Sequence, residues 1–391
     1  MTFEELREKD SRYVVQSYGR NSIAIVHGQS ATLYGVDGRE YIDFASGIGV
    51  LSVGTAHPKW SAAVAAQAGR LAHVSNLYYS EPYIRLAEKL CTRSGMAAAF
   101  FANSGAEGNE GIIKLARKYS FDRYGEGRGT VITLNRSFHG RTITTLAATG
   151  QDVFHKYFFP FTEGFRRADP SLDSIEQAAD KDVCAVMVEL VQGEGGVFPL
   201  DKEFVRRLAD LCADRDWLLL VDEVQTGIGR TGSLFCFQQY GIHPDAVSFA
   251  KGVAGGLPMG GFLVNEKCRK VFGPGDHAST FGGNPIGAAA ACAVLDILDG
   301  EALEQVKEKG QYIRAKIEEM NLPCLGKTRG LGLMIGIEVK DGHTNKELYA
   351  RLNEAGLLCL TAGAVLRLLP PLTITKDEMD KGLAIMKLAL S

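Results

Sequence analysis

Residues 217–251 read WLLLVDEVQTGIGRTGSLFCFQQYGIHPDAVSFAK, and they set the architecture of the chain. One apolar run leads into Asp222, and a second, DAVSFAK, ends in Lys251 just before the glycine-rich sequence GVAGGLPMGG. Consecutive apolar residues indicate strands that are buried on both faces. Open α/β sheets bind ligands at the carboxyl ends of such strands. The stretch therefore predicts an acid and a lysine at the ligand-binding edge of one sheet.

Further short apolar runs alternate with amphipathic helical patterns on both sides of this stretch: AAAFFANS, TVITLN, CAVMVEL and GGFLVN. Helices between strands imply crossover connections and hence a mostly parallel sheet. Near residue 285 an Ala-rich helix begins, and an α+β pattern follows it. We expect an α/β protein with a large, seven-stranded type of sheet, helices on both faces, and a smaller α+β domain from both chain ends. The expected divisions are 1–45, 46–288 and 289–391.

Composition narrows the classes of function. The 391 residues include 43 basic and 46 acidic side chains, so the formal net charge is −3, and a protein that binds nucleic acid by charge is normally more basic. No apolar run has the length of a membrane span, and no secretory signal is expected at the charged N-terminus. The eight cysteines form no C-x-x-C pair, so we expect reduced thiols and a cytoplasmic location, with no metal site.

The sequence FFANSGAEGNE places Ser104, Gly105 and Ala106 where a strand ends and a helix begins. A helix start offers unpaired N–H groups and a positive dipole end, and Ser104 can cap the helix or donate to an anion. A plain capped helix has the same sequence. The pattern matches neither G-x-G-x-x-G nor the P-loop, so a dinucleotide or Walker-type site is unsupported.

In SFHGRT, residues 137–142, Phe138 could stack on a flat ring and Arg141 could grip a carboxylate with its planar fork. Alternatively, Phe138 belongs to the core, Arg141 is a solvated charge, and His139 is an ordinary satisfied histidine.

The acid and the lysine of the opening stretch each allow several readings. Asp222 could hold a metal, a ribose or a protonated ring nitrogen, and a metal is disfavoured because no His/Asp cluster lies at ligand spacing. Lys251 could be a buried nucleophile or a lysine that reaches to water. The chain offers, in this order, an anion site, an aromatic ring for stacking, an acid and an amine. Pyridoxal phosphate has matching groups: a phosphate, a flat ring, a ring nitrogen that must stay protonated and an aldehyde. An ionised Asp222 would raise the pKa of the cofactor's ring nitrogen.

The chain resembles the class III, ω-amino-acid-type aminotransferases of PLP fold type I, and within them the acetylornithine aminotransferases. The resemblance covers about residues 20–391. It is carried by the motifs DGREYIDFASGIGV, GTAHP, NSGAEGNE, SFHGRT, VQGEGGV, DEVQTGIGRTG, SFAKGVAGGLPMGG, HASTFGGNP and RGLGLMIGIE.

The resemblance implies a role for each matching position around the cofactor. Lys251 would bind pyridoxal phosphate covalently and carry the proton transfer, and Asp222 would pair with the pyridine nitrogen. The other cofactor-binding residues would be Ser104, Gly105 and Ala106 at the phosphate, Phe138 and Val224 on the ring faces, Gln225 near the 3-oxygen, and Thr280 at the phosphate of the neighbouring subunit's cofactor.

The substrate-binding residues implied in the same way are Arg141 and Arg367 as carboxylate clamps, Ser279 at the substrate's border, and Glu194 as a switch that pairs with Arg367. Three positions depart from the family. Leu190 replaces a usual Pro before the turn that carries Glu194. Ala106 lacks the hydroxyl of a common Thr. Ile48 stands where ornithine aminotransferases typically carry a Tyr, which favours an N-acyl substrate.

The implied reaction is transamination of N2-acetyl-L-ornithine with 2-oxoglutarate by a homodimer with shared active sites, giving N-acetyl-L-glutamate 5-semialdehyde and L-glutamate in arginine biosynthesis. Ornithine, succinyl-diaminopimelate, succinylornithine and 4-aminobutyrate remain alternative donors. An aminomutase on the same fold is a further alternative. The sequence does not decide the preferred donor.

Overall fold

The computed structural model describes residues 1–391. Thirteen helices are α1 (Phe3–Tyr13), α2 (Ser46–Gly49), α3 (Pro58–Ala68), α4 (Glu81–Ser94), α5 (Gly105–Tyr124), α6 (Ile143–Ala148), α7 (Leu172–Ala178), α8 (Lys202–Asp214), α9 (Phe237–Tyr240), α10 (Pro285–Ile297), α11 (Gly300–Glu319), α12 (Asn345–Ala355) and α13 (Lys376–Leu390).

Seventeen strands accompany them: β1 (Ile25–Gln29), β2 (Thr32–Gly35), β3 (Glu40–Asp43), β4 (Ala98–Ala102), β5 (Thr130–Leu134), β6 (Phe165–Ala168), β7 (Val183–Val188), β8 (Val191–Gln192), β9 (Phe198–Pro199), β10 (Leu218–Asp222), β11 (Ala246–Phe249), β12 (Gly260–Val264), β13 (Leu325–Leu331), β14 (Met334–Val339), β15 (Leu357–Leu358), β16 (Leu360–Ala362) and β17 (Val365–Leu368).

A seven-stranded sheet in the order β4-β12-β11-β10-β7-β5-β6 forms the centre of the molecule. All neighbours in it are parallel except β12, which runs antiparallel to both β11 and β4. The carboxyl ends of the other six strands therefore meet at one edge of the sheet. The predicted α/β class and the mostly parallel sheet are confirmed.

The central strands are buried throughout, which explains their unbroken apolar sequences. Every residue of β7, β10 and β11 is buried. The helices that cover the sheet are amphipathic. In α8, for example, Val205, Leu208 and Cys212 face the core, and the side chain of Asp201 accepts a hydrogen bond from the backbone of Phe204 at its start.

The two ends of the chain share a smaller layer. The sequence GQSATLYGVDGREYIDF has two alternating runs around the turn dipeptide Asp37-Gly38 and predicts a hairpin. The hairpin is present as β2 and β3, and β3 also pairs in parallel with β15 from the C-terminal region. A second four-stranded sheet, β13-β14-β17-β16, lies entirely in the C-terminal part. The divisions at residues 45 and 288 stay a prediction.

Sequence patterns missed or misplaced a few elements for identifiable reasons. The sequence FEELREKDSRYVVQS predicts a helix over residues 3–17. The helix ends at Tyr13 instead, because Val14 adopts an extended conformation before a second β-branched valine. Strands β6 and β13 were not predicted, since FRRA and LGKTRGL lack a regular apolar alternation. None of the helices is both long enough and sufficiently apolar to span a membrane.

Two glycines in α5 allow the helix to lie close to β12. A Cβ atom on Gly108 would stand 2.6 Å from the carbonyl oxygen of Gly261, and one on Gly111 would stand 2.3 Å from the ring of Phe262. Close packing beside the sheet edge therefore explains why glycine stands at these two positions despite its low helix propensity. The same packing fixes the start of α5 next to the ends of the strands.

Candidate active site

A cavity of about 460 Å³ opens at the carboxyl edge of the seven-stranded sheet. It brings together most of the residues that the sequence singled out. Its lining includes Ser104, Gly105, Ala106, Phe138, Arg141, Asp222, Val224, Gln225 and Lys251.

Asp222 forms the floor of this cavity at the end of β10, with only 4% of its surface exposed. Its Oδ2 accepts a hydrogen bond of 2.7 Å from Asn109 Nδ2 and one of 2.8 Å from His139 Nδ1. Its Oδ1 accepts from the backbone N–H of Val224 at 3.0 Å. A carboxylate that accepts three hydrogen bonds is stabilised in its ionised form, so the floor presents a fixed negative charge.

Lys251 follows β11 in an uncommon backbone conformation, with a φ of +41°. Two hydrogen bonds from distant side chains hold the turn behind it. The hydroxyl of Ser52 donates to the carbonyl of Gly252 at 2.6 Å, and the indole N–H of Trp60 donates to the carbonyl of Ala254 at 3.0 Å. Non-glycine residues with positive φ persist where their surroundings over-determine them, and they cluster at functional sites.

Burial lowers the pKa of Lys251, although the nearby carboxylates of Glu194 and Asp222 act in the opposite direction. A lysine with a lowered pKa has a larger share of the neutral, nucleophilic amine at neutral pH. The cavity therefore contains both an amine that becomes neutral more readily than usual, on Lys251, and the hydrogen-bonded carboxylate of Asp222.

The first turn of α5 forms one side of the cavity, through Ser104, Gly105 and Ala106. Ser104 is its N-cap, and its hydroxyl accepts from the backbone of Glu107 at 3.2 Å. The first N–H groups of a helix have no partner within the helix. A Cβ on Gly105 would stand 2.6 Å from Val224 Cγ1, so the glycine is needed for this close approach.

Arg367 on β17 lies beside the cavity and is paired with Glu194. The Nη1 atom of Arg367 is 2.6 Å from Glu194 Oε1 and 3.0 Å from Gln225 Oε1. Burial raises the pKa of Glu194, but the charge and hydrogen bond of Arg367 outweigh burial and hold that pKa below its ordinary value. The Nε of Arg367 is buried without a partner.

Leu190 does not prevent this pairing. Its side chain is fully buried, and its carbonyl accepts from the backbone of Leu200 at 2.9 Å and from the hydroxyl of Tyr240 at 3.0 Å. These contacts fix the turn that leads to Glu194 in a chain that lacks the usual Pro.

Ser279 and Thr280 do not line the Lys251 cavity of their own chain. The hydroxyl of Ser279 accepts from Asn103 Nδ2 at 3.3 Å, so it stands next to the first turn of α5. Thr280 is exposed and borders a separate cavity of about 310 Å³, formed with residues 73–80 and 282–285.

Three residues of the site escaped the sequence analysis: Asn109, His139 and Glu189. The sequence pattern offers His139 only the role of an ordinary satisfied histidine as an alternative, whereas in the structure it donates to Asp222. Glu189 follows an apolar strand in the same way as Asp222 does, and this signal could have identified it. Burial raises the pKa of Glu189 to about 7, and its carboxylate accepts from the backbone N–H of Phe138 at 2.9 Å.

These observations test whether the site suits pyridoxal phosphate. A glycine-lined helix start fits the phosphate, Asp222 fits a protonated ring nitrogen, and Lys251 fits the aldehyde. Two buried polar atoms beside Asp222, Asn109 Oδ1 and His139 Nε2, have no partner within the chain. The residues present therefore fit this cofactor, and no group of three or more His, Cys, Asp or Glu side chains is arranged for a metal ion.

Comparison with known proteins gives consistent results. The sequence model of a family described as Aminotransferase class-III matches residues 13–390. An acetylornithine aminotransferase of Haemophilus ducreyi is 48% identical, covering 100% of both chains, and one of Wolinella succinogenes is 46% identical, covering 97% of this chain and 98% of the relative.

Solved structures agree with these relatives. An ornithine aminotransferase of Toxoplasma gondii superposes with a TM-score of 0.95 at 31% identity, covering 100% of this chain and 95% of that one. An acetylornithine aminotransferase of Elizabethkingia anophelis superposes with a TM-score of 0.88 at 30% identity, covering 100% and 99%.

The lowered pKa of Lys251 predicts its reactivity in the cofactor-free chain. Acetylation by acetic anhydride requires the neutral amine, and a lower pKa provides that form at lower pH. The labelling rate of Lys251 should therefore level off at a lower pH than the rate of the exposed Lys181, as followed by mass spectrometry from neutral to alkaline pH. A rate for Lys251 that levels off only at the same or a higher pH would contradict a lowered pKa.

Proposed function

This chain belongs to the class-III aminotransferases, enzymes that use pyridoxal phosphate to move an amino group between small molecules, and we propose that it transfers the δ-amino group of N2-acetylornithine to 2-oxoglutarate. The observation that carries the proposal is one cavity lined by a buried Asp222, whose carboxylate accepts three hydrogen bonds, and by a lysine of lowered pKa. The products would be N-acetylglutamate 5-semialdehyde and glutamate, a step of arginine biosynthesis.

The donor is proposed from the relatives and from one residue next to the cavity lining, Ile48. The acetylornithine aminotransferases named above are similar over the whole chain. Ile48 is 47% exposed and lies in the same short segment as Val50, which lines the cavity. An apolar side chain at this position suits an acylated α-nitrogen better than a charged ammonium group.

Bound pyridoxal phosphate supplies an electron sink for the substrate's amine-bearing carbon. The chain's own residues make that sink effective. The negative charge of Asp222 would keep the ring nitrogen of the cofactor protonated. Hydrogen bonds from Asn109 and His139 fix the orientation of that carboxylate. Lys251 would hold the cofactor in the resting enzyme and then act as the base and acid that moves the proton, because its amine is neutral more readily than an exposed lysine.

The remaining cofactor contacts are also proposals. Ser104, Gly105 and Ala106 would receive the phosphate at the start of α5, and Phe138 and Val224 would cover the two ring faces. Gln225 would approach the ring's 3-oxygen.

The two amino donors present different ends to the ring, and this calls for two carboxylate sites. Acetylornithine reacts at its δ-amine, so its only carboxylate lies far from the ring. Glutamate reacts at its α-amine and has one carboxylate near the ring and one at the far end. We assign the far site to Arg141 and the near site to Arg367, with Glu194 covering Arg367 when no carboxylate is there. Ser279 would border the substrate.

We also propose a homodimer with shared active sites. Exposed apolar side chains lie next to Thr280 and in the segment that borders the same cavity. Phe281, which follows Thr280, is 60% exposed, and Leu77 and Tyr79 of the bordering segment are 86% and 98% exposed. Exposed apolar surface of this kind marks protein interfaces. Thr280 would then reach the partner's cofactor phosphate. A fully active monomer would contradict the shared site.

A reducing compartment such as the cytoplasm is the proposed location, because all eight cysteines carry free thiols.

The donor assignment is tested by comparing kcat/KM for N2-acetylornithine, ornithine, succinyl-diaminopimelate and 4-aminobutyrate, each with 2-oxoglutarate as acceptor. We expect N2-acetylornithine to give the highest value. A higher kcat/KM for ornithine would contradict this assignment and indicate an ornithine aminotransferase. Turnover of a donor without any 2-oxoacid would indicate an aminomutase.

Substitution of Arg367 separates the two half-reactions. Arg367→Ala should slow the glutamate half-reaction by roughly 30-fold or more, because a buried charge partner is lost. It should change the acetylornithine half-reaction much less, whereas Arg141→Ala should slow both. Single-turnover absorbance measurements follow each half separately.

The same measurement tests Glu194. Glu194→Ala leaves Arg367 uncovered and should shift preference toward glutamate. Equal losses in both half-reactions for Arg367→Ala would show that Arg367 does not distinguish the substrates.

A further inference from the structure

The two arginines assigned to substrate carboxylates are held in different ways. Arg367 is paired with Glu194, whereas Arg141 forms no ion pair within the chain. The guanidinium carbon of Arg141 lies 4.3 Å from the centre of the Phe154 ring and 5.5 Å from the centre of the Phe138 ring. The two rings meet edge to face, with centroids 5.6 Å apart.

Phe154 is itself held firmly. It ends a short helical turn, Asp152–Phe154, whose Asp152 is bonded to Arg167 of the edge strand β6. His155 follows, with its Nδ1 2.6 Å from Arg167 Nη2 and its Nε2 2.7 Å from the carbonyl oxygen of Leu146. Because Nε2 must donate to that carbonyl, Nδ1 is the acceptor for Arg167. The residues before and after Phe154 in the sequence, Asp152 and His155, thus both connect its backbone to Arg167 of the large sheet.

An aromatic face holds a guanidinium without using its N–H donors. A carboxylate partner would neutralise Arg141 and occupy its fork, and a substrate would have to displace it. A guanidinium that rests on a ring keeps its charge and its fork available, and fewer conformations are lost when the ligand binds.

We propose that Phe154 is a positioning residue that holds Arg141 ready for the carboxylate of the amino donor. The inference rests on the proposed function in one respect, the role of Arg141 as the far carboxylate site. It adds the residue that makes this site selective for donors with a carboxylate at the end remote from the reacting amine.

The test compares two donors that differ only in that carboxylate: N2-acetylornithine and N-acetyl-1,4-diaminobutane. In Phe154→Leu the KM for N2-acetylornithine should rise on the order of 2- to 5-fold, the range expected for one cation–π contact at an exposed site, with kcat nearly unchanged. The KM for N-acetyl-1,4-diaminobutane should not change. Phe154→Tyr keeps an aromatic face and should restore the KM.

Phe158→Leu is the matched control. Phe158 belongs to the same segment and is 50% exposed, but its ring packs against Tyr157 instead of Arg141. It should leave both KM values unchanged. Thermal unfolding of each variant separates a loss of folding from a loss of positioning.

Arg141→Ala provides the background that distinguishes the two levels of the argument. If Phe154 acts through Arg141, Phe154→Leu should have no further effect on KM in that background. Equal KM increases for both donors, or the same increase with and without Arg141, would overturn the proposal for Phe154. An unchanged KM in Arg141→Ala alone would instead overturn the assignment of Arg141. If wild type prefers another carboxylate-bearing ω-amine, that donor and its decarboxylated analogue replace the pair, so a wrong donor leaves the test of Phe154 intact.

Discussion

The negative charge of Asp222 at the floor of the cavity is the constraint on which the rest of the site depends. A buried carboxylate is costly unless it is paired or hydrogen-bonded. Asn109 from α5, His139 from the loop after β5 and the backbone of Val224 supply three hydrogen bonds. The charge thus ties together three segments that are distant in sequence. A protonated ring nitrogen would be its natural counter-charge.

The other side chains of the site surround this charge at distances that the sheet sets. The parallel strands deliver Asp222 and Lys251 to one edge, and β17 of the C-terminal sheet brings Arg367 next to Gln225. The pairing of Glu194 with Arg367 gives a buried cation a carboxylate partner. Arg141 is kept available by aromatic rings, and the contrast matches the different uses proposed for the two arginines.

Much of this arrangement was predictable because local sequence carries it. Apolar runs ending in Asp222 and Lys251 identified the sheet and its functional edge. Through-space partners were not predictable: Asn109 looks like an ordinary polar residue of a helix, and only the fold brings it within 2.7 Å of Asp222. Phe154 escaped for the same reason. The antiparallel direction of β12 was not predictable either, because a strand buried on both faces has the same apolar sequence in either direction.

The central claim is that an ionised Asp222 makes the bound cofactor an effective electron sink. The most direct test is the single-turnover rate of both half-reactions in Asp222→Asn, with cofactor content measured by absorbance. The neutral amide keeps the size of the side chain but loses the charge that holds the ring proton. We predict retention of pyridoxal phosphate and a loss of roughly 100-fold or more in both rates. Near-normal rates with full cofactor content would contradict the account.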